Sequence, residues 1–317
     1  MSGFENNLIQ IIDNYYSVLY VNERDIAQYL NSDTTLIYIS EKLENDNEII
    51  RCSNLASNVI VVSKKYLKIS QKKIDFYKNV NSRLEKNLND NIVLFIELND
   101  NYSNARYIVK NLIKLFKIIP EIRERFINLN SDITLFMIIK DNHSKFLGDI
   151  KNSLKAILIK DVYIRNEFIY DTVCDYLDSK FKGCNVCDFK DDKCAANRAG
   201  RINHSIMGCC HSFEYAKFYE FGVLKNVKLC EHMKDRHCTT KNISCKLYTC
   251  RYITKQHKEF KFNTRRILLL DCFFNMKQHD VLRYNYFKTR EEILEKLKKR
   301  NYDIYLWYLY RRKYMAK

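Results

Sequence analysis

Five short apolar runs mark the first half of the chain: SVLYV (17–21), TTLIYI (34–39), NVIVVS (58–63), NIVLFIEL (91–98) and DITLFMIIK (132–140). They are rich in Val, Ile, Leu and aromatics, and several are apolar throughout instead of alternating. That is how strands buried on both faces read. Between them lie stretches such as 64–89 and 102–129, long enough for crossover helices. Strands alternating with helices imply βαβ units and a parallel sheet. The pattern therefore predicts a five-stranded, doubly wound α/β domain over residues 1–157.

After about residue 160 the pattern changes. The segment NEFIYDTVCDYLDSKF (166–181) reads as an amphipathic helix with Ile169, Val173, Tyr176, Leu177 and Phe181 inward. A cysteine-rich stretch follows, and four of the six glycines fall within 183–222. Helical patterning returns over 263–310. Thr289 with Glu292 three residues on makes a capping box, and Ile293, Leu294 and Leu297 share one face behind it. Residues 160–317 are thus expected to form a second, mostly helical domain built around metal. No internal repeat or low-complexity segment is evident.

Composition sharpens this picture in three respects. At 317 residues, with 46% hydrophobic positions, the chain has ample material for a core in one large or two ordinary domains. One proline and six glycines leave few breaks, which favours long regular elements. MSGFENNLIQ has neither the basic start nor the apolar run of a secretory signal. No uncharged apolar stretch approaches the roughly 18 residues of a membrane span. A cytoplasmic setting is the expectation.

Twelve cysteines in a reducing compartment point to metal or redox chemistry, because disulfides are rare there. Cys52, Cys174 and Cys272 stand apart and read as small core residues. The other nine are Cys184, Cys187, Cys194, Cys209, Cys210, Cys230, Cys238, Cys245 and Cys250, spaced C-x2-C-x6-C-x14-C-C-x19-C-x7-C-x6-C-x4-C. GCNVC is a knuckle in which two intervening residues let both sulfurs face one cation. With His204, His211, His232 and His237 nearby, the set could fill two tetrahedral zinc sites. Four of the same thiolates could instead hold an iron–sulfur cluster, although no C-x2-C-x2-C run is present. Zinc is the favoured metal.

Ligand chemistry in the first half is sparse. No glycine occurs between Gly3 and Gly148, which argues against the phosphate cradles of Rossmann and P-loop proteins. A site in an open α/β sheet lies at the carboxyl ends of its strands. The residues there are Asn22, Glu23 and Asp25 after the first run, Ser40 and Glu41 after the second, and Ser63 after the third. Helix capping or solvated turns explain each of them better than a ligand contact does.

The stretch NVIVVSKKYLKISQKKIDFYK resembles the central part of Toll/interleukin-1 receptor (TIR) domains, where an apolar strand ending in Ser precedes a Tyr-Leu pair and a short helix. The resemblance spans roughly residues 10–157 and implies a flavodoxin/TIR-like sheet with a binding or signalling role. TIR domains usually carry a Trp-Cys pair and then a Glu in that helix, and the aligned positions here hold Gln71, Lys72 and Asp75. In NAD-cleaving members the Glu is catalytic, so the resemblance implies Asp75 as the corresponding carboxylate of an alternative NAD hydrolase. The segment from Cys184 through DCFFNMKQHDVLRYNYF also resembles uncharacterised cysteine-rich bacterial proteins, which implies a structural unit and no function.

Charge is uneven. Residues 1–160 carry 22 Lys/Arg against 19 Asp/Glu, whereas 161–317 carry 32 against 19. Within 251–317 the count is 18 against 7. Such asymmetry points to an acidic partner for the C-terminal region. The tail NYDIYLWYLYRRKYMAK (301–317) interleaves Tyr302, Tyr305, Trp307, Tyr308 and Tyr310 with Arg311, Arg312 and Lys313. That composition suits nucleic acid or a membrane surface, and it equally suits a helix packed on its own domain. The leading reading is a zinc-binding protein with a TIR-like binding domain. NAD hydrolysis and iron–sulfur redox chemistry are its alternatives.

Overall fold

The computed structural model describes residues 18–19, 23–43, 46–64, 74–77, 91–127, 136–139, 144–181, 189–190, 193–194, 232–234, 237–249, 251–286 and 288–299. The chain divides into two compact units, Met1–Arg165 and Asn166–Lys317.

The first unit is built on a parallel sheet. Its strands are β1 (Val18–Leu19), β2 (Thr34–Ile39), β3 (Asn58–Val62), β4 (Ile74–Tyr77), β5 (Asn91–Ile96) and β6 (Phe136–Ile139), in the order β1-β6-β5-β2-β3-β4. All pairings are parallel. The three longest strands, β2, β3 and β5, form its centre, and the flanking strands have two to four residues. Every residue of β2 is buried, because strands lie on both sides of it and both of its faces are covered.

On one face Leu36, Tyr38, Val59, Val61, Val93 and Phe95 pack with Ile26 of the 3₁₀ segment Glu23–Tyr29 and with Leu30 just after it. Ile49 and Cys52 from helix α1 (Asp46–Leu55) complete that cluster. The alternate residues Ile37, Ile39, Ile60, Val62, Leu94 and Ile96 point to the other face and are no more than 1% exposed. Helix α2 (Tyr102–Ile118) starts at Asn101, whose side chain accepts the Ser103 N–H at 2.8 Å. It packs against α3 (Pro120–Ile127) and α4 (Leu147–Leu158).

This arrangement corrects the expected five-stranded, doubly wound, flavodoxin/TIR-like sheet. In the flavodoxin order 2-1-3-4-5, the run 34–39 would lie outside 17–21 at an edge. Here 34–39 is central and 18–19 is at the margin. A further strand, β4, occupies part of 64–89, where a single helix was expected. Its sequence IDFY is β-favouring but is flanked by Lys and Asn. Short edge strands with charged flanks carry little of the continuous apolar signal of a central strand. The described residues as a whole are mostly helical.

The second unit is assembled around α5 (Val162–Phe181), which begins just before the unit boundary. Two short hairpins follow, β7 (Phe189–Lys190) with β8 (Lys193–Cys194) and β9 (Met233–Lys234) with β10 (His237–Cys238). The remaining helices are α6 (Ile243–Leu247), α7 (Arg251–Gln256), α8 (Leu268–Phe273), α9 (Met276–Tyr284) and α10 (290–299).

The buried face of α5 is Ile169, Tyr170, Val173, Cys174 and Leu177. Tyr176, expected inward, is 41% exposed. The Tyr170 hydroxyl donates to the Lys241 carbonyl at 2.8 Å and accepts the Ile243 N–H at 3.2 Å. Arg290 forks onto Asp171 and Glu167 with three contacts of 2.6–2.7 Å. The Thr289–Glu292 capping box is present, with both reciprocal bonds formed, and it leads into buried Ile293 and Leu297.

On α9, His279 is 5% exposed, and among the described residues its Nδ1 has no hydrogen-bond partner. Burial lowers its affinity for a proton below the ordinary value of 6.5. Asp271 and Asp280 oppose that effect, whereas Arg265 and Arg283 reinforce it. The unfolded chain therefore binds this proton more readily, so stability falls as pH drops below 6.5 and the loss levels off beneath the folded value. His279→Gln is expected to gain stability relative to wild type as pH is lowered from about 7.5 to about 5.5. Paired denaturant titrations at the two pH values check this; an unchanged difference would place His279 in contact with water.

Candidate site at the carboxyl ends of the central strands

The register of the sheet sets the site. Ile39 of β2 pairs with Ile96 of β5, so the next residues, Ser40 and Glu97, emerge side by side. The Ser40 hydroxyl donates to Glu97 Oε2 at 2.5 Å. The Ser40 N–H donates to the Val62 carbonyl at 3.0 Å, and the Glu97 N–H to the Ile39 carbonyl at 2.9 Å. These bonds continue the ladder one step beyond the strands and fix both side chains. Ser63, after β3, is also fully buried.

A second layer comes from the loops. Lys64 Nζ meets Glu41 Oε1 at 2.6 Å and stands 5.0 Å from the centroid of the Tyr107 ring on α2. With the lysine 54% exposed, this ion pair is worth at most about 1 kcal/mol. The Tyr107 hydroxyl is buried and has no hydrogen-bond partner among the described residues. Burial, and secondarily the Glu41 carboxylate, push its pKa up to about 12. At neutral pH it is therefore a neutral phenol.

The loop after β5 is held in place. The Asn104 side chain accepts the Asn99 N–H at 3.0 Å and donates to the Glu97 carbonyl at 3.4 Å. The Ser144 hydroxyl donates to the Asn99 carbonyl at 3.2 Å. Lys145 donates to the exposed Asp100 carboxylate through both Nζ and its backbone N–H, holding that carboxyl below its usual range.

Topology gives this edge its significance. β2 leads outward to β3 on one side, and β5 leads outward to β6 on the other. The connections after the two neighbouring strands diverge, and the carboxyl ends of strands at such a point are the usual seat of ligands in open α/β sheets. Ser40, Glu41 and Ser63, singled out from sequence, converge there. Glu23 and Asp25 lie instead in the 3₁₀ segment, and Asn22 is outside the described residues. Sequence reasoning missed Glu97, Lys64 and Tyr107. The signal for Glu97 was present, as a lone carboxylate inside the apolar run NIVLFIEL.

Asp75 lies within strand β4, opposite Ile60 of β3. The TIR resemblance placed it in a helix, and that placement is corrected. Its strand partner precedes the carboxyl end of β3 by two residues, Val61 and Val62.

Of the nine candidate metal ligands, three fall on described residues. Cys194 ends β8 opposite Phe189, Cys238 sits exposed on β10 opposite Met233, and Cys245 is half-buried in α6. Cys184, Cys187, Cys209, Cys210, Cys230 and Cys250 lie outside the described residues, as do His204, His211 and the tail 301–317. Among the described residues no three His, Cys, Asp or Glu side chains converge as a metal site would require, so the expected metal-centred architecture is not found there. Cys52 and Cys174 are buried, and burial pushes both thiols up to about 12. They are protonated packing groups at neutral pH. No described helix is long and apolar enough to cross a membrane.

No family model matches the chain, and no curated protein or solved structure matches it either.

A buried hydroxyl without a partner destabilises its surroundings. Tyr107→Phe is expected to raise the stability of the first unit by about 1 kcal/mol, read by urea denaturation. A loss of stability would mean that the hydroxyl is already satisfied.

Proposed function

We propose that the chain is a binding protein whose ligand seat lies at the carboxyl ends of β2 and β5. The observation that carries this reading is the Ser40–Glu97 bridge at the point where the strand connections diverge. Two carboxylates, a serine and a neutral phenol suit a small ligand rich in hydroxyls, such as a ribonucleoside. Acidic side chains accept from ribose hydroxyls in this way in other α/β sheets. The lack of glycine between Gly3 and Gly148 speaks against a pyrophosphate cradle.

Adenosine and NAD are suitable calorimetric probes. Glu97→Gln is expected to weaken binding of the nucleoside by about tenfold or more, the worth of a hydrogen bond to a charged group. Equal affinity in the variant, or no binding of either probe to the wild type, would overturn the reading. Following nicotinamide release in the NAD samples separates binding from the hydrolysis that the TIR resemblance implies. Release abolished by Asp75→Asn would favour the hydrolase.

We also propose that the cysteines from Cys184 to Cys250 hold zinc in a structural role. Support comes from their density, nine thiols in 67 residues, and from the knuckle spacing of Cys184 and Cys187. A region short of ordinary core gains folding energy from such a metal. Elemental analysis of chelator-free protein is expected to give about two zinc ions per chain. Cys187→Ala is expected to make the second unit protease-sensitive while the first stays resistant. Less than about half an equivalent of any metal would exclude the proposal.

A further inference from the structure

A cavity of about 710 Å³ opens in the second unit, and Tyr176 and Lys180 of α5 line it together with His257, residues 259–263, Arg266 and Ile267. Its volume lies within the range of small-molecule sites. Three cationic side chains border it, Lys180, Lys261 and Arg266. The single carboxylate there, Glu259, is paired with His257 at 3.2 Å. The cavity therefore has an excess of positive charge.

The wall is aromatic and firmly held. Phe181 stacks on Phe260 with centroids 4.8 Å apart and meets Phe262 edge-on at 5.7 Å. Phe260 is 5% exposed and anchors the group. Tyr176 behaves differently: it lies on the solvent side of α5 at 41% exposure, and Lys180 Nζ stands 5.1 Å from its ring centroid. An exposed aromatic beside an aromatic wall and a cationic rim departs from ordinary surface composition. It offers a π-face for stacking within reach of charges that attract phosphate.

We propose that this cavity is a nucleotide site, in which a base stacks on the Tyr176 face and Lys180, Lys261 and Arg266 meet the phosphate. The ligand class is a planar base carrying a phosphate, supplied either as a free mononucleotide or as one unit of a single strand. The site is separate from the seat proposed in the first unit and does not depend on the reading given for it.

The test uses the full-length chain, with fluorescently labelled AMP and a labelled ten-nucleotide oligo-U as probes and inorganic polyphosphate as competitor. Binding of at least one probe is expected at low salt. Similar affinity for both identifies a mononucleotide site, whereas much tighter, steeply salt-dependent binding of oligo-U identifies a strand. Tyr176→Ala is expected to weaken binding by about tenfold, and the paired change Lys261→Gln with Arg266→Gln by at least as much. These positions are exposed, and unchanged melting curves verify folding. Should Tyr176→Ala alter the melt, Tyr176→Ser with Lys180→Gln takes its place. No binding of either probe at low salt overturns the proposal. So does binding indifferent to the paired basic change, or binding that polyphosphate abolishes while loss of Tyr176 leaves it unchanged.

Discussion

The burial of β2 on every side is the constraint on which the first unit depends. TTLIYI has no polar face to offer solvent, so it accepts only a central place, with β3 on one edge and β5 on the other. Once Ile39 is opposite Ile96, Ser40 and Glu97 must emerge as neighbours. A slip of one residue would reverse the facing of every side chain in β5 and carry Glu97 away from Ser40. The Tyr38–Phe95 contact, with centroids 4.7 Å apart, is among the packing interactions that hold the register. The Ser40–Glu97 pair is thus a consequence of apolar packing.

The second unit is held by a different principle. Its helices after α5 are short, none of α6 to α9 exceeding nine residues, and such helices have little stability of their own. Polar links tie them together. Asn242 caps α6 through the Cys245 N–H and, with its amide, donates to the carbonyls of Asn285 and Lys288. Ser244 joins the Leu282 carbonyl to the Asn285 N–H. Along α5, Asp175 and Asp178 engage Lys241, and Asp178 also engages Lys246, whose side chain is 3% exposed. Only Lys246 is buried, so removing Asp178 would leave that one charge uncompensated, whereas the exposed Lys241 pairs contribute little.

How far the sequence foretold these features depended on the kind of signal. Continuous apolar runs marked β2, β3 and β5, because burial on both faces leaves no polar residue to confuse the pattern. The capping box at Thr289 was legible because its two interactions are local. Strand order was not, since it depends on which strands can afford a polar neighbour, and β4 was hidden because IDFY is short and set among lysines. Tyr176 was misplaced because helical spacing defines a face only to within one position. The true inward set rotates onto Tyr170 and Cys174. Glu97 was passed over because its run was read for hydrophobicity and the one charge in it was ignored.

The two units also divide the electrostatics. In the first unit Glu41 pairs with Lys64 and Glu97 accepts from Ser40, whereas the cavity of the second unit gathers three cations around one paired carboxylate. This matches the charge distribution along the chain, nearly balanced in residues 1–160 and strongly basic beyond. A carboxylate-lined seat selects ligands through hydroxyl donors and repels free phosphate. A cation-lined one does the opposite, and its affinity weakens as salt screens it. The two proposed sites thus rest on opposite charge chemistry, carboxylates in the first unit and cations in the second.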